Sequence, residues 1–118
     1  MKTTRYLIGT FAALALFAGG FIGNTTVAAD GDLQIIKFEA DWCSHCARLK
    51  PVFAKVSEAY SSDASFRSVD IDTNTSLANR YSVAAVPTII AVKDGRVVGR
   101  LTGYQSEGKL KSFIRKHR

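Results

Sequence analysis

The chain has 118 residues, which is the size of a single domain. It carries 16 basic and 10 acidic residues, a net charge of +6, and the basic residues are scattered apart from a group at the C-terminus that suits a helix end. No basic motif with interleaved aromatic residues occurs, so composition gives no support to a nucleic-acid partner.

The first 29 residues have the layout of a secretory signal peptide rather than of a folded element. Lys2 and Arg5 precede an apolar run, and small residues lead up to Ala29. We expect cleavage after Ala29, which leaves residues 30–118 as the folded domain of a periplasmic or secreted protein. The alternative is an uncleaved membrane anchor, but the apolar stretch over residues 7–22 is shorter than the ~20 residues that span a bilayer.

The centre of the chain is a predicted strand-to-helix corner that carries both cysteines. A short apolar run over residues 33–40 is typical of a buried strand, and apolar residues at helical spacing predict a helix over residues 43–60. Cys43 and Cys46 open that helix, and residues three apart are neighbours on a helix surface. The two sulfurs can therefore bond to each other.

A helix N-terminus is a suitable place for a reactive cysteine. Its unpaired backbone N–H groups and partial positive charge favour a thiolate, which is the nucleophile in disulfide exchange. Such settings lower a cysteine pKa from about 8.5 to roughly 3.5–7.5. We predict that Cys43 is the attacking sulfur, that Cys46 resolves the mixed disulfide, and that His45 stabilises the thiolate when protonated.

Two other uses of these cysteines are open. A structural disulfide would close a very short loop and would stabilise the fold little, because the entropic gain from cross-linking grows with loop length. Cys43, His45 and Cys46 are also soft ligands suited to copper(I) or zinc. Metal binding or delivery is therefore the alternative function, although a closed zinc site needs four ligands.

The rest of the chain alternates between strands and helices. The second strand follows a crossover helix, so it must pair in parallel with the first. Asp94-Gly95 between two apolar runs is a strong hairpin signal. The remaining predicted elements are a second strand (66–71), a short helix capped within 72–74 and ending near 81, two hairpin strands (88–92 and 97–101) and a last helix capped by Ser106.

Several motifs, in order along the chain, resemble the thioredoxin family. They are WCSHC at 42–46 with Pro51 behind it, VDID at 69–72, AVPT at 85–88, KDGRVV at 93–98 and GYQSEGKLKSFI at 103–114. The resemblance implies an α/β fold: a four-stranded mixed sheet in the order 2-1-3-4 with helices on both faces. Few residues precede the first strand after the leader, so we expect the minimal form of the fold.

The resemblance also implies the surroundings of the cysteines. The family carries a cis-proline at the position of Pro87, facing the cysteines, so Val86 would offer its backbone to an extended substrate segment. Trp42 would complete an apolar rim around Cys43, and Gly103 would let a substrate chain approach. The implied activity is that of a monomeric thiol–disulfide oxidoreductase with protein substrates and a redox partner that resets the cysteines. No cofactor is needed, since the electrons stay on sulfur.

Residues 37 and 39 depart from the family pattern. Many thioredoxins carry a buried acid, used in proton transfer, at the position of Lys37, and an aromatic residue at that of Glu39. Both side chains lie on one face of the strand. One hypothesis is that Glu39 takes over the acid–base role and Lys37 pairs with it. The alternative is that Lys37 extends to solvent and Glu39 only flanks the site.

The direction of electron flow is open between two interpretations. Protein disulfide isomerases share the histidine of Ser44-His45, which indicates a more oxidising couple than the Gly-Pro of thioredoxin. A minimal exported domain is instead similar to thioredoxin-like proteins that reduce selected partners. A reduction potential near that of cytosolic thioredoxin would favour a reductase, and a much higher one an oxidase or isomerase.

Overall fold

The computed structural model describes residues 32–118, and the predicted signal peptide lies outside this range. Within it, none of the helices is long and apolar enough to cross a membrane. The elements follow the predicted order along the chain. They are β1 (Leu33–Glu39), α1 (Ser44–Ala59), β2 (Ala64–Asp70), α2 (Thr75–Arg80), β3 (Thr88–Lys93), β4 (Arg96–Thr102) and α3 (Glu107–His117).

The four strands form one mixed sheet in the spatial order β2-β1-β3-β4. β1 pairs in parallel with β2, from Leu33 opposite Ala64 to Glu39 opposite Asp70. β1 and β3 pair antiparallel, as do β3 and β4. The predicted strand order and the parallel crossover are confirmed. β1 is therefore held on both sides, so the segment that follows it starts from a rigid position.

Successive side chains of the central strands point to opposite faces of the sheet, and both faces are covered by helices, as predicted. One face packs against α1 and α3, with the buried residues Leu33, Ile35, Leu49, Phe53, Val56, Ile89, Ala91, Leu110, Phe113 and Ile114. The other packs against α2, with the buried residues Ile36, Phe38, Val69, Ala78, Ile90 and Val92.

Some boundaries differ from the predictions for local reasons. α1 begins at Ser44, because Cys43 has an extended backbone and caps the helix instead of joining it. β2 begins at Ala64, since its pairing with β1 extends back to Leu33. Asn74 stands at the N-cap of α2, but its side chain donates to the carbonyl of Asp70 and makes no cap hydrogen bond. The predicted cap within residues 72–74 is thus confirmed in position, at Asn74, but it has no side-chain hydrogen bond.

The predicted hairpin between β3 and β4 is confirmed. Asp94 and Gly95 both have left-handed backbones, with φ of +54° and +78°, as a type I′ turn requires. Lys93 lies opposite Leu33, and Thr88 lies opposite Phe38. The hairpin is therefore at the end of the sheet where β1 starts, and the cysteine corner is at the opposite end.

Gly99 on β4 lies against the last turn of α3. A Cβ atom there would overlap Nε2 of His117 and come within 2.9 Å of Cε2 of Phe113. These two rings pack edge to face, with centroids 4.8 Å apart. Burial of the His117 ring, helped by the nearby charges of Lys116 and Lys93, lowers its pKa. His117 therefore packs as a neutral ring, and the missing side chain at Gly99 gives it room.

We expect Gly99→Ala to lower the free energy of unfolding by about 1–3 kcal/mol, the usual cost of overpacking. Gly108→Ala is the matched control, because nothing lies within 4 Å of a Cβ atom at Gly108. That variant should keep or raise stability, since alanine is the better helix former. Urea unfolding of the oxidised proteins measures both, and equal stability of the two variants would contradict the close contact at Gly99.

Candidate functional site

The two cysteines lie where β1 gives way to α1, and they form a disulfide bond with their Cα atoms 5.2 Å apart. Cys43 is the N-cap residue of α1. Its Sγ accepts a hydrogen bond of 3.1 Å from the backbone N–H of Cys46. The fold therefore places a sulfur at the positive end of the helix, where N–H groups of the first turn point.

Burial distinguishes the two cysteines. Cys43 is 8% exposed and Cys46 is 2% exposed. They pack together with Ala40, and Ile71 and Val86 lie alongside. A molecule that approaches from solvent therefore meets Cys43 first, while Cys46 stays behind it in the core.

The segment before β3 faces the cysteines. The carbonyl oxygen of Val86 lies 3.7 Å from Sγ of Cys43, and the Val86–Pro87 peptide bond is cis. Gly103, with φ of +89°, donates its N–H to the carbonyl of Pro87 over 2.7 Å. Val86 thus lies beside Cys43, and Pro87 and Gly103 are joined directly behind it; these three residues are called the docking ledge below, and substrate binding by them stays a prediction.

Trp42 stands at the solvent side of the site. Its side chain is 69% exposed, and its Nε1–H donates to Oδ2 of Asp72 over 2.9 Å. Asp72 is within reach because β1 and β2 end together: the N–H of Ile71 donates to the carbonyl of Glu39. One hydrogen bond thus orients a large apolar surface that would otherwise rotate freely.

His45 lies on the exposed side of the first turn of α1, between the cysteines. A guanidinium nitrogen of Arg48 lies 3.2 Å from its Nδ1. The guanidinium carbon of Arg48 also lies 4.4 Å from the ring centroid of Tyr104. Arg48 thus places a positive charge next to His45, and thiolate stabilisation by His45 stays a prediction.

Lys37 and Glu39 form an ion pair behind the site. Nζ of Lys37 lies 2.8 Å from Oε1 of Glu39, and the two side chains are 2% and 20% exposed. Oε1 is buried and makes no directed hydrogen bond, so the contact is electrostatic. Nζ also lies 4.8 Å above the Phe53 ring. Extension of Lys37 to solvent was therefore a wrong expectation, and its pairing with Glu39 is confirmed.

Two cavities lie beside this pair and share lining residues. One of about 70 Å³ is lined by Glu39, Cys43, Cys46 and Lys50, among others. The next, of about 280 Å³, is lined by Lys37, Glu39, Lys50 and Phe53, among others. Glu39 borders both, so it lies between the sulfurs and the buried ammonium. A cavity of about 310 Å³ between β4 and α3 includes none of the predicted site residues.

Sequence reasoning missed three residues of the site: Asp72, Arg48 and Tyr104. A signal existed for Arg48, which is three residues from His45 on a helix and hence its neighbour. The partner of Trp42 could have been sought among the residues after β2, because parallel strands end at the same edge of a sheet. Nothing in the sequence joined Arg48 to Tyr104.

The metal alternative finds no ligand set in the part of the chain that is described. Among residues 32–118, no three His, Cys, Asp or Glu side chains come together as a metal site would need. His45 is directed to Arg48, and the cysteines are bonded to each other. The geometry therefore favours redox chemistry at Cys43 and Cys46.

Comparison with known proteins agrees with this geometry. The family model described as Thioredoxin matches residues 23–116. The chain belongs to the thioredoxin family. Thioredoxin of Staphylococcus aureus is 33% identical over 88 residues, which are 75% of this chain and 85% of that protein.

Solved structures agree as well. The thioredoxin of Fasciola hepatica superposes with a TM-score of 0.70 at 35% identity, over 75% of this chain and 84% of the other. The thioredoxin of Schistosoma mansoni gives 0.70 at 36% identity, over 77% and 82% of the two chains. The sheet order and the Cys43–Cys46 pair thus belong to a thioredoxin-type thiol–disulfide oxidoreductase, a class that acts on protein disulfides and relies on a reductant partner.

We expect Glu39→Gln to destabilise this thioredoxin-family protein, because it leaves the Lys37 ammonium buried without a counter-charge. Breaking a fully buried pair costs about 3–5 kcal/mol. Since the Glu39 side chain is 20% exposed, the expected loss is nearer ~2 kcal/mol. The double variant Lys37→Leu/Glu39→Gln removes both polar groups from the core and should recover most or all of the stability.

Guanidinium unfolding of the oxidised proteins measures these differences. Glu58→Gln is the control, because it makes the same chemical change at an exposed position of α1 and should stay within about 0.5 kcal/mol of the parent. A double variant less stable than Glu39→Gln alone would show that removing the Lys37 ammonium does not recover stability, and would contradict this expectation.

Proposed function

We propose that this protein is exported and exchanges disulfides with protein substrates in the periplasm or outside the cell, acting as a monomer. Residues 1–29 support export, because they have the charged, apolar and small-residue layout of a secretory signal peptide. The observation that carries the chemistry is the Cys43–Cys46 disulfide at a helix N-terminus, with Val86 facing it.

Reduction of a substrate begins with Cys43 as the thiolate. It attacks one sulfur of the substrate disulfide, so a bond forms to Cys43 and the substrate's other sulfur leaves as a thiolate. Cys46, once deprotonated, attacks Cys43, which releases the second substrate sulfur and restores the Cys43–Cys46 disulfide. Two electrons pass to the substrate. A redox partner must then supply two electrons to reduce the Cys43–Cys46 disulfide again. The reverse sequence oxidises substrate thiols.

The ledge beside Cys43 is suited to hold the substrate. An extended segment would pair with the backbone of Val86 as an added strand. At Gly103 a Cβ atom would meet nothing within 4 Å, so the surface in front of it is open to a second chain. The exposed ring of Trp42, oriented by Asp72, would cover the apolar part of that segment.

Glu39 is the proposed proton acceptor for Cys46. It borders the small cavity that contains both cysteines, and one side of its carboxylate faces the Lys37 ammonium. A carboxylate in its ionised form can take a proton from a neighbouring thiol. A water molecule fits a polar cavity of about 70 Å³ and would relay the proton from the Cys46 thiol.

The trapping variant Cys46→Ala tests the assignment of the nucleophile. With no resolving thiol, Cys43 should accumulate mixed disulfides with protein substrates, which dithiothreitol releases. Expression of residues 1–118, followed by fractionation and mass spectrometry, identifies the trapped proteins, their compartment and the N-terminus of the mature chain. We expect complexes in the periplasm or medium and a chain that starts at Asp30.

Cys43→Ala is the matched control and should trap far less, because Cys46 is the more buried sulfur. Equal trapping by both variants would contradict the assignment of Cys43. Complexes confined to the cytoplasm would contradict export while leaving the exchange chemistry intact.

Glu39→Gln should slow the attack of Cys46 on a preformed mixed disulfide by roughly 10²-fold or more at neutral pH, the scale of general base catalysis. The deficit should shrink as pH rises, because the solvent then deprotonates Cys46 without help. Stopped-flow detection of the released thiol at a series of pH values gives the rate constant of this step. Glu58→Gln is the control. Identical pH profiles for Glu39→Gln and the parent would remove Glu39 from the mechanism.

A further inference from the structure

Charged side chains of both signs contact residues that flank the cysteines in the chain. Trp42 donates a hydrogen bond to the carboxylate of Asp72. Arg48 lies against His45 and Tyr104. Asp72 and Arg48 are both exposed, so each is open to a molecule from solvent.

Arg48 is held in place while most of its donors stay unused. One face of its guanidinium covers the Tyr104 ring at 4.4 Å, and one nitrogen contacts His45 at 3.2 Å. It takes part in none of the ion pairs described within residues 32–118. A guanidinium has five N–H donors in a rigid fork. An exposed guanidinium that is oriented but lacks a carboxylate is ready to accept one.

Tyr104 links Arg48 to the docking ledge. It directly follows Gly103, whose N–H donates to the carbonyl of Pro87. Pro87 in turn follows Val86, whose carbonyl faces Sγ of Cys43. The guanidinium thus contacts a side chain carried by the same short stretch of backbone that would hold an extended substrate.

We infer that Arg48, positioned by Tyr104 and His45, binds the carboxylate of an aspartate or glutamate that lies near the disulfide of the protein substrate. The inference rests on the proposed function and adds to it the chemical class of substrate. A guanidinium binds a carboxylate through two parallel hydrogen bonds. Because the site is open to water, the gain is modest, roughly threefold in rate constant.

The charge of Arg48 could also act on the Cys43 thiolate itself. That effect would change the reaction with every substrate by the same factor, because it belongs to the nucleophile. Recognition of a carboxylate changes only the reactions of substrates that carry one. The ratio of rate constants for an acidic and a neutral substrate therefore separates the two effects.

The test uses two synthetic peptides with an intramolecular disulfide that differ only in Glu or Gln two residues from one cysteine. Reduced protein is mixed with each peptide, and the second-order rate constant is measured without any recycling partner. The parent should react roughly threefold faster with the Glu peptide at low salt. The preference should fall as ionic strength rises, since exposed charges are screened.

Arg48→Gln should bring the ratio of the two rate constants to one, and Tyr104→Leu should lower it part of the way. Arg96→Gln is the matched control, because it removes an exposed arginine at the hairpin end of the sheet, away from the cysteines, and should keep the preference. A ratio of one in the parent, or a preference that survives Arg48→Gln, would overturn the inference. Failure of the parent to reduce either peptide would overturn the proposed function itself, and the inference with it.

Discussion

The hydrogen bond from the backbone N–H of Cys46 to Sγ of Cys43 joins the N-cap residue of α1 to the first turn of that helix. It forms because Cys43 keeps an extended backbone at the N-cap, in the short segment that follows a strand paired on both sides. The N–H group that contacts the disulfide is also in position to stabilise a thiolate after reduction. The docking ledge at Val86 faces this sulfur, with the Val86 carbonyl oxygen 3.7 Å from Sγ of Cys43.

The Lys37–Glu39 ion pair behind the cysteines lies where apolar side chains are more usual. Lys37 lies on the face of β1 that packs against α1, on the same side as Ile35, and its ammonium contacts Glu39 and the ring of Phe53. A buried ion pair is a weak source of stability. In the proposed mechanism its value is positional, because it holds the Glu39 carboxylate at the edge of the cavity that both cysteines line.

The sequence was sufficient for features that depend on local chemistry or on several motifs in order, such as the sheet order, the Asp94-Gly95 turn and the redox pair. Burial of Lys37 could not be decided, because the period of the strand placed it inside while its charge favoured solvent. The stack of Arg48 on Tyr104 joins residues distant in the chain and depends on how the loop after β4 turns. The cap of α2 lies within the predicted residues, but the Asn74 side chain does not cap the helix, because its hydrogen bond to Asp70 competes with capping.

Both chain ends of the described domain lie at the pole opposite the cysteines. Leu33 is paired with Lys93 beside the hairpin, Nζ of Lys93 donates to the carbonyl of His117, and Arg118 is bound to Asp63, one residue before β2. Anything joined to the domain, whether a lipid-embedded leader or an engineered fusion, would attach there. The end of the domain that carries the cysteines would then point away from the attachment. Large folded substrates would reach it without steric hindrance from the attached group.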